Sequence, residues 1–240
     1  MSHPERIVPD ETSPGIVALH LKRYEFARAY CGGAAVLDAG CGVGYGSAYL
    51  AEVAVRVLGV DVSEEAIVYA RSRYAKLNLE YVIADLLALD LPDSSFDVAT
   101  SFETIEHVED VEGYLGQIAR VLRPEGTFIV STPRVDETTR APENPFHRVE
   151  LSRGDFEAVL RTRFEEVELY GQRRLQTARH ALLQRMDVLD LRKRLPVLRR
   201  ASRLVGTAPM AEVTLEGIAI ERDGIERSTE LVAVCRRPRA

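Results

Sequence analysis

The sequence predicts an α/β protein whose mostly parallel sheet is covered by helices on both faces. Apolar segments of strand length alternate with segments of helical pattern over most of residues 14–170. Several strand segments are uninterrupted β-branched or apolar runs, which is typical of strands buried on both faces of a sheet. The last two strand segments are not joined by a simple crossover helix, so we expect one of them to run antiparallel.

The predicted boundaries follow from apolar runs and from residues that begin or end helices. Ser63 is a good N-cap with Glu64 and Glu65 in the first turn, so a helix is predicted from there to about Lys76. Proline and glycine in Arg123–Gly126 end a helix that begins near residue 110. The other predicted helices cover 14–29, a stretch ending near 52, and 152–162, and the predicted strands are 34–37, 55–60, 79–84, 96–102, 127–131, 164–169 and 230–234.

Length and composition indicate one compact domain, or one domain with an appended subdomain. Of the 240 residues, 46% are hydrophobic and 28% are charged, which excludes a disordered chain. No apolar run approaches the ~20 residues of a membrane helix, and the charged, proline-containing N-terminus does not resemble a signal peptide. Three widely spaced cysteines form no metal-type pair and no disulfide framework, so we expect a cytoplasmic protein.

The charge is unevenly distributed along the chain. The net charge of −6 excludes a general nucleic-acid binder, but residues 171–205 contain ten arginines and lysines against two aspartates. Apolar residues recur there at a spacing of three to four and predict an amphipathic helix to about Arg194. We expect this helix to cap the mouth of a site. The alternatives are a face for an anionic substrate, a helix on a membrane surface, or an RNA groove, which the scarcity of aromatic residues disfavours.

A glycine-rich turn follows the first predicted strand. It contains Gly40, Gly42 and Gly44 in the pattern G-x-G-x-G, with Asp38 two residues before it. Glycines let the backbone turn tightly and approach a ligand closely. A dinucleotide loop requires G-x-G-x-x-G, but Tyr45 stands where its third glycine would be, and a neighbouring acid is unfavourable for a pyrophosphate. The pattern therefore favours a cationic ligand over a dinucleotide.

Acidic residues stand at the ends of four successive strands. Asp38, Asp61, Asp85 and Glu103 each end or directly follow a predicted strand. In a parallel sheet the carboxyl ends of the strands meet at one edge, where ligands bind. A ligand explains four such acids better than four separate solvated caps do.

With these motifs, residues 34–170 and the terminal strand resemble the class I S-adenosylmethionine (SAM)-dependent methyltransferases. The resemblance implies a Rossmann-like, mostly parallel seven-stranded sheet with a helical insertion before the last strand. It also implies that Asp61 holds the ribose hydroxyls of SAM and that Asp85 accepts from the adenine amino group. The cofactor-binding set is then Tyr24, Asp38, Gly40, Gly42, Gly44, Asp61, Val62, Asp85, Leu86 and Ser101. SAM carries a sulfonium and an amine but no phosphate, so an acidic pocket with exposed loop amides suits it.

A second group of candidate residues follows the fourth strand. Glu103, Glu106 and His107 are spaced i, i+3 and i+4, so on a helical turn they share a face, and His147 follows in a later loop. Two carboxylates and two imidazoles form a suitable ligand set for a divalent ion. The alternatives are a solvated helical face, a structural histidine, or His107 as a general base without a metal.

The pattern E-x-x-E-H with a distal histidine resembles ubiquinone-biosynthesis O-methyltransferases and the enzymes that 2′-O-methylate small-RNA 3′ ends. The resemblance implies that Glu103, Glu106, His107 and His147 hold a divalent cation, Mg²⁺ or Mn²⁺. As catalytic residues we expect His107 or His147 to take the hydroxyl proton where the cation does not fully ligate that histidine. We expect methylation of a hydroxyl of a small molecule, such as a sugar, a quinone precursor or a natural-product scaffold. An anionic acceptor is included in this expectation. The alternatives are an RNA 2′-O-methyltransferase, a metal-independent enzyme, N- or C-methylation, and a SAM-binding protein without catalysis.

The predicted organisation has four parts. They are an N-terminal helical cap (1–33), the SAM-binding core (34–170), the basic helical insertion or lid (171–229), and the final core strand and tail (230–240). In the cap, His20, Arg23 and Tyr24 either close over the methionine end of SAM or lie on the surface of a helix. Residues 206–229 are expected to form a lid or a homodimer contact.

Overall fold

The computed structural model describes residues 6–175 and 213–239. In this part of the chain, eight strands form one sheet with five α-helices around it. The strands are β1 (Ala35–Ala39), β2 (Arg56–Asp61), β3 (Leu79–Ile83), β4 (Phe96–Phe102), β5 (Leu122–Pro133), β6 (Phe164–Arg174), β7 (Ile218–Glu221) and β8 (Glu230–Pro238). The helices are α1 (Pro14–Cys31), α2 (Tyr45–Leu50), α3 (Glu64–Arg73), α4 (Val111–Val121) and α5 (Arg153–Arg161). Every predicted strand is present, and so are the predicted helices up to residue 162.

The sheet confirms the predicted α/β, Rossmann-like architecture. Its strand order is β3-β2-β1-β4-β5-β8-β6-β7. Strands β1 to β5 are mutually parallel, and β8 runs antiparallel between β5 and β6. The carboxyl ends of β1, β2, β3 and β4 therefore meet at one edge of the sheet, where a ligand is expected.

The sheet has eight strands where seven were predicted. Strand β6 continues past the predicted end at Leu169 to Arg174, and its extension pairs antiparallel with Ile218–Glu221. The sequence analysis missed β7 because four residues are too few to show a strand pattern. Part of the segment predicted as a helical insertion is therefore strand. The predicted amphipathic helix to Arg194 and most of the basic residues fall within 176–212, outside the described residues.

Capping side chains begin the helices next to the carboxyl edge. Ser63 Oγ accepts a hydrogen bond from Ala66 N at 3.3 Å, as predicted, and Ser152 caps α5 in the same way. Helix α4 begins after Asp110, whose Oδ1 accepts from Gly113 N at 2.9 Å. Because α3 and α4 begin soon after β2 and β4, these caps fix where the loops at this edge end.

Both faces of the sheet are buried. Leu37 of β1 belongs to a core cluster with Tyr114 of α4 and Phe156 of α5. Its neighbour Val36 points to the opposite face and belongs to a second cluster with Ala27 of α1. All residues of β1 are buried, which explains the apolar run that precedes Asp38.

No helix in the described part of the chain is long and apolar enough to cross a membrane. The three cysteines, Cys31, Cys41 and Cys235, are buried and have free thiols.

Candidate active site

A cavity of about 750 Å³ opens at the carboxyl edge of the parallel strands. Its walls come from the loops after β1, β2, β3 and β4, from α1, and from the loop that precedes α5. The predicted site residues that line it are Tyr24, Gly40, Gly42, Asp61, Val62, Asp85, Leu86, Glu103, Glu106, His107 and His147. All four predicted metal ligands and seven of the ten predicted cofactor residues thus line one cavity.

The glycine turn forms one wall of the cavity. Gly40 has a φ of +79°, and a Cβ at this position would lie 2.4 Å from Thr104 Oγ1 in the loop after β4. Gly42 has a φ of +53°, and no atom lies within 4 Å of the place of its missing Cβ. Both backbone conformations favour glycine. Gly40 therefore lets two loops of the site touch, whereas Gly42 leaves room for a ligand.

Three predicted cofactor residues do not line the cavity but are buried behind its wall: Asp38, Gly44 and Ser101. The Asp38 carboxylate accepts hydrogen bonds from Ser47 Oγ at 2.6 Å, Thr100 Oγ1 at 2.9 Å and Tyr24 OH at 3.3 Å. Burial raises the pKa of Asp38 to about 6, although these hydroxyl groups act in the opposite direction. Asp38 lies just before the glycine turn, and its three hydrogen bonds connect this end of β1 to α1, α2 and β4.

Asp61 and Asp85 face the cavity from the ends of β2 and β3. Asp61 Oδ2 accepts from Gly42 N at 2.8 Å, and Oδ1 accepts from Ser63 N at 2.9 Å. Each carboxylate oxygen can accept a second hydrogen bond, so Asp61 can still receive two hydroxyl groups. Asp85 is exposed, and its Oδ1 accepts from Leu87 N at 2.9 Å. Both carboxylates are therefore held by the backbone and remain open to a ligand.

Glu106, His107 and His147 come together in the same cavity. One ligand atom of each residue lies within 4.8 Å of the others, and the imidazole centroids are 4.9 Å apart. Burial and the nearby Glu103 carboxylate raise the pKa of Glu106 well above its usual range. Among the described residues, no hydrogen-bond partner reaches the buried Glu106 Oε2. A buried carboxylate oxygen without a partner beside two imidazoles is suited to a cation.

Glu103 lies outside this cluster. Its φ is +51°, and the short 3₁₀ turn that carries the other two residues begins only at Ile105. The expectation that Glu103 shares a helical face with Glu106 and His107 was therefore wrong. Instead, Glu103 Oε1 accepts a hydrogen bond from Ser131 Oγ at 2.6 Å.

Helix α1 contributes inward-facing residues. His20 and Tyr24 line the cavity, and the Tyr24 ring meets Phe102 edge-on at a centroid distance of 4.9 Å. Arg23 is buried, with its Nη1 donating to Gln172 Oε1 at 3.2 Å. Burial, followed by the charge of Arg23, lowers the pKa of His20 well below its usual range. The alternative of three surface residues on this helix was wrong.

Some cavity residues were missed in the sequence. They include Arg6, Tyr45, Phe102, Glu109, Phe146 and Arg148. Phe146 and Arg148 flank His147, so their position next to a predicted ligand was an available signal. The sequence contains no such signal for Arg6, because the N-terminal segment reaches the cavity only through the packing of Val8 against Val43.

Comparison with known proteins assigns the chain to a family. Residues 37–130 match the methyltransferase domain family. A probable S-adenosylmethionine-dependent methyltransferase of Mycolicibacterium smegmatis is 36% identical over 184 residues, covering 70% of this chain and 71% of the relative. A SAM-dependent methyltransferase from Mesorhizobium loti has the same fold, with a TM-score of 0.57 and 21% identity over 90% of this chain and 98% of that one. The chain belongs to the class I SAM-dependent methyltransferases.

Other relatives are named for different acceptor atoms. Phosphoethanolamine N-methyltransferase 1 of Arabidopsis thaliana is 33% identical, covering 58% of this chain and 27% of the relative. Sterol 24-C-methyltransferase of Eremothecium gossypii is 35% identical, covering 55% of this chain and 37% of the relative. The names of these two relatives therefore give different acceptor atoms, nitrogen and carbon.

Replacing Asp61 with alanine is expected to weaken SAM binding by about 1–3 kcal/mol, because the ribose hydroxyls lose a fixed acceptor. Isothermal titration of SAM into the purified protein measures the change. The control is Asp223→Ala, at an exposed aspartate outside the cavity. An unchanged affinity in Asp61→Ala would show that this carboxylate does not hold the ribose.

Proposed function

We propose that this methyltransferase transfers the methyl group of SAM to a hydroxyl of a small molecule, with a divalent cation beside the acceptor. The observation that carries the proposal is the cluster of Glu106, His107 and His147 in the cavity that also contains Asp61 and Gly42. Acceptors with adjacent oxygen atoms fit this chemistry best, such as a sugar, a quinone precursor or a natural-product scaffold.

The donor atoms of the cluster fit a divalent cation. Glu106, His107 and His147 would hold it, and the partnerless Oε2 of Glu106 supports this assignment. One carboxylate with two imidazoles suits Mn²⁺ better than Mg²⁺, which prefers oxygen ligands. A cation bound there supplies Lewis acidity, which lowers the pKa of a coordinated hydroxyl.

His107 is oriented to receive the proton of the acceptor. Its Nδ1 lies 3.0 Å from the carbonyl oxygen of Phe146, so Nδ1 carries the hydrogen and Nε2 keeps a lone pair. In the transfer, the acceptor oxygen bonds to the methyl carbon while the carbon–sulfur bond breaks and its electron pair goes to sulfur. The hydroxyl proton passes to Nε2 of His107 where no cation occupies that nitrogen, and to solvent water where a cation holds both histidines; S-adenosylhomocysteine is released. No covalent enzyme intermediate is required.

The charge of the cavity bears on the acceptor. Five lining residues carry carboxylates: Asp61, Asp85, Glu103, Glu106 and Glu109. Among the described residues, two arginines line it, Arg6 and Arg148, and the Arg148 guanidinium is 3.5 Å from the Glu109 carboxylate. This balance supports a neutral or cationic acceptor and disfavours an anionic one or RNA.

The same acidity favours one second candidate, methylation of an amine. Glu103 and Glu109 would stabilise an ammonium group on its way to the donor, and a phosphoethanolamine N-methyltransferase is among the relatives. An amine nucleophile needs no bound cation, because its lone pair is available once it is deprotonated. Dependence on a divalent cation therefore separates the two candidates.

EDTA is expected to abolish turnover, and added Mn²⁺ or Mg²⁺ to restore it, because the cation fixes and activates the hydroxyl. The assay measures S-adenosylhomocysteine after incubation of SAM with a panel of catechols, sugars and amines. Chelator-resistant turnover of an amine would favour N-methylation, and of a hydroxyl would favour His107 as a base without metal. SAM binding without any product would indicate a binding protein that does not catalyse.

The double variant His107→Ala, His147→Ala is expected to lose Mn²⁺ binding, because two of three ligands are removed. Electron paramagnetic resonance of free Mn²⁺ measures this loss. The melting shift caused by SAM should remain, since the side-chain hydrogen bonds of the two histidines go to Phe146, Asn144 and Glu150 and not to the glycine turn or Asp61. Glu143→Gln, on an exposed residue of the same loop, is the matched control. Mn²⁺ bound equally by the double variant would reject the ligand set.

A further inference from the structure

The loop that carries His147 is fixed against the turn that carries the other two cluster residues. Arg148 N and Val149 N both donate to the carbonyl oxygen of Glu106, at 2.7 Å and 3.2 Å. The carbonyl oxygen of Phe146 lies 3.0 Å from His107 Nδ1. These bonds set the distance between the two histidine backbones but leave open which nitrogen of His147 carries a hydrogen.

Two side chains of this loop contact the two nitrogens of His147. Glu150 Oε1 lies 2.7 Å from Nδ1, and Asn144 Nδ2 lies 3.0 Å from Nε2. The Asn144 amide is oriented by Phe146 N, which donates to its Oδ1 at 3.1 Å. The NH₂ group therefore faces His147 and can only donate. It follows that Nε2 accepts, and that Nδ1 carries the hydrogen and donates to Glu150.

We propose that Glu150 is a positioning residue that keeps His147 in the tautomer with hydrogen on Nδ1 and a lone pair on Nε2. The Asn144 amide donates a hydrogen bond to this lone pair, and a cation or a hydroxyl proton that binds to Nε2 takes the place of the amide hydrogen. The inference rests on the proposed function, because both uses of His147 require a lone pair at a defined nitrogen. A carboxylate that accepts from the second ring nitrogen also fixes the orientation of the ring.

Glu150 is itself held by the backbone. Glu150 N donates to Thr139 O and Thr139 N donates to Glu150 O, each at 2.9 Å. Such a reciprocal pair fixes both residues as in an antiparallel ladder. The side chain of Glu150 is 17% exposed and that of His147 is 10% exposed, so solvent competes little for the bond between them. The fixed backbone and the low exposure therefore keep the Glu150 carboxylate within hydrogen-bond distance of the His147 imidazole.

The tautomer of His147 in the ligand-free protein tests the inference directly. Two-bond ¹H–¹⁵N spectra of histidine-labelled protein, at a pH where imidazoles are neutral, should show hydrogen on Nδ1 in the wild type. Asn144→Ala alone should keep hydrogen on Nδ1, because Glu150 still accepts from it. Adding Glu150→Ala to this variant should make the Nε2–H form prominent, whereas adding Glu150→Gln, whose Oε1 still accepts, should restore the wild-type pattern. Glu143→Gln should change nothing, and His147→Gln assigns the signal. An Nδ1–H tautomer that persists in the double variant Asn144→Ala, Glu150→Ala would overturn the inference.

A second measurement connects the tautomer to the site. Glu150→Ala should bind Mn²⁺ about 10- to 100-fold more weakly than the wild type, as is usual when the partner of a metal-bound histidine is lost. Its SAM-induced melting shift should be unchanged, which excludes general misfolding. Equal Mn²⁺ affinity in both proteins would overturn the positioning role. If the wild type binds no Mn²⁺, the proposed cation site fails, and the tautomer spectra alone decide the role of Glu150.

Discussion

Replacing Gly46 with alanine is expected to displace Tyr24 and to open the wall of the candidate active site. A Cβ at position 46 would lie 1.9 Å from Tyr24 Cζ, far inside van der Waals contact. The buried ring cannot turn aside without losing its bond to Asp38 and its edge-on contact with Phe102. We expect a loss of about 3 kcal/mol in the free energy of unfolding, as in other overpacked cores. SAM affinity should fall at least about tenfold, or 1.4 kcal/mol.

Urea denaturation and SAM titration measure both effects. Gly154→Ala is the matched control, because no atom lies within 4 Å of its missing Cβ and it is in helix α5, where alanine is favoured. In a Tyr24→Ala background the added cost of Gly46→Ala should nearly vanish, since the clash is gone. A full additional cost in that background would mean that the strain lies elsewhere.

Replacing Asp38 with asparagine is expected to stabilise the SAM-free protein above about pH 6 and to have little effect near pH 4. Burial raises the pKa of Asp38 from 3.8 to about 6, so the folded protein binds more protons than the unfolded chain between these values. The stability that protonated Asp38 contributes is complete below the unfolded pKa and is lost as the pH rises through the folded pKa. Asparagine does not ionise, so the variant should be more stable at neutral pH by about 3 kcal/mol.

Urea denaturation at several pH values between about 4 and 8 measures this difference. The control is Asp223→Asn, an exposed aspartate whose replacement should leave the pH dependence unchanged. A stability difference that is constant with pH, or that is largest in acid, would contradict the assignment of a costly buried charge to Asp38.

The sequence was most informative where a pattern depends on local chemistry. Apolar runs located the parallel strands, because strands buried on both faces need continuous hydrophobicity. Asp61 and Asp85 were found because they follow such strands, and both do line the cavity. Its position at the end of a strand also led us to predict that Asp38 contacts the ligand, but its carboxylate is buried and accepts hydrogen bonds from Ser47 and Thr100. A strand-end position does not specify which way the side chain turns.

The remaining differences come from interactions that distant backbone segments make. Strand β7 exists because it pairs with the extension of β6, and its own four residues carry no signal. Glu103 does not lie on the predicted helical face because its backbone has a positive φ, which its residue type does not indicate. Arg148 and Phe146 reach the cavity because their loop is bonded to the Glu106 carbonyl group. None of these contacts is encoded in the spacing of side chains.

The position of β8 has a consequence for the order in which the molecule assembles. This strand follows β6 and β7 in the sequence, yet it lies between β5 and β6 and bonds to both. During synthesis, the edges of β5 and β6 that β8 later covers therefore lack their hydrogen-bonding partner until residues 230–238 have left the ribosome. An uncovered strand edge is a site of aggregation, so the edge of β5 is exposed to that risk until β8 pairs with it.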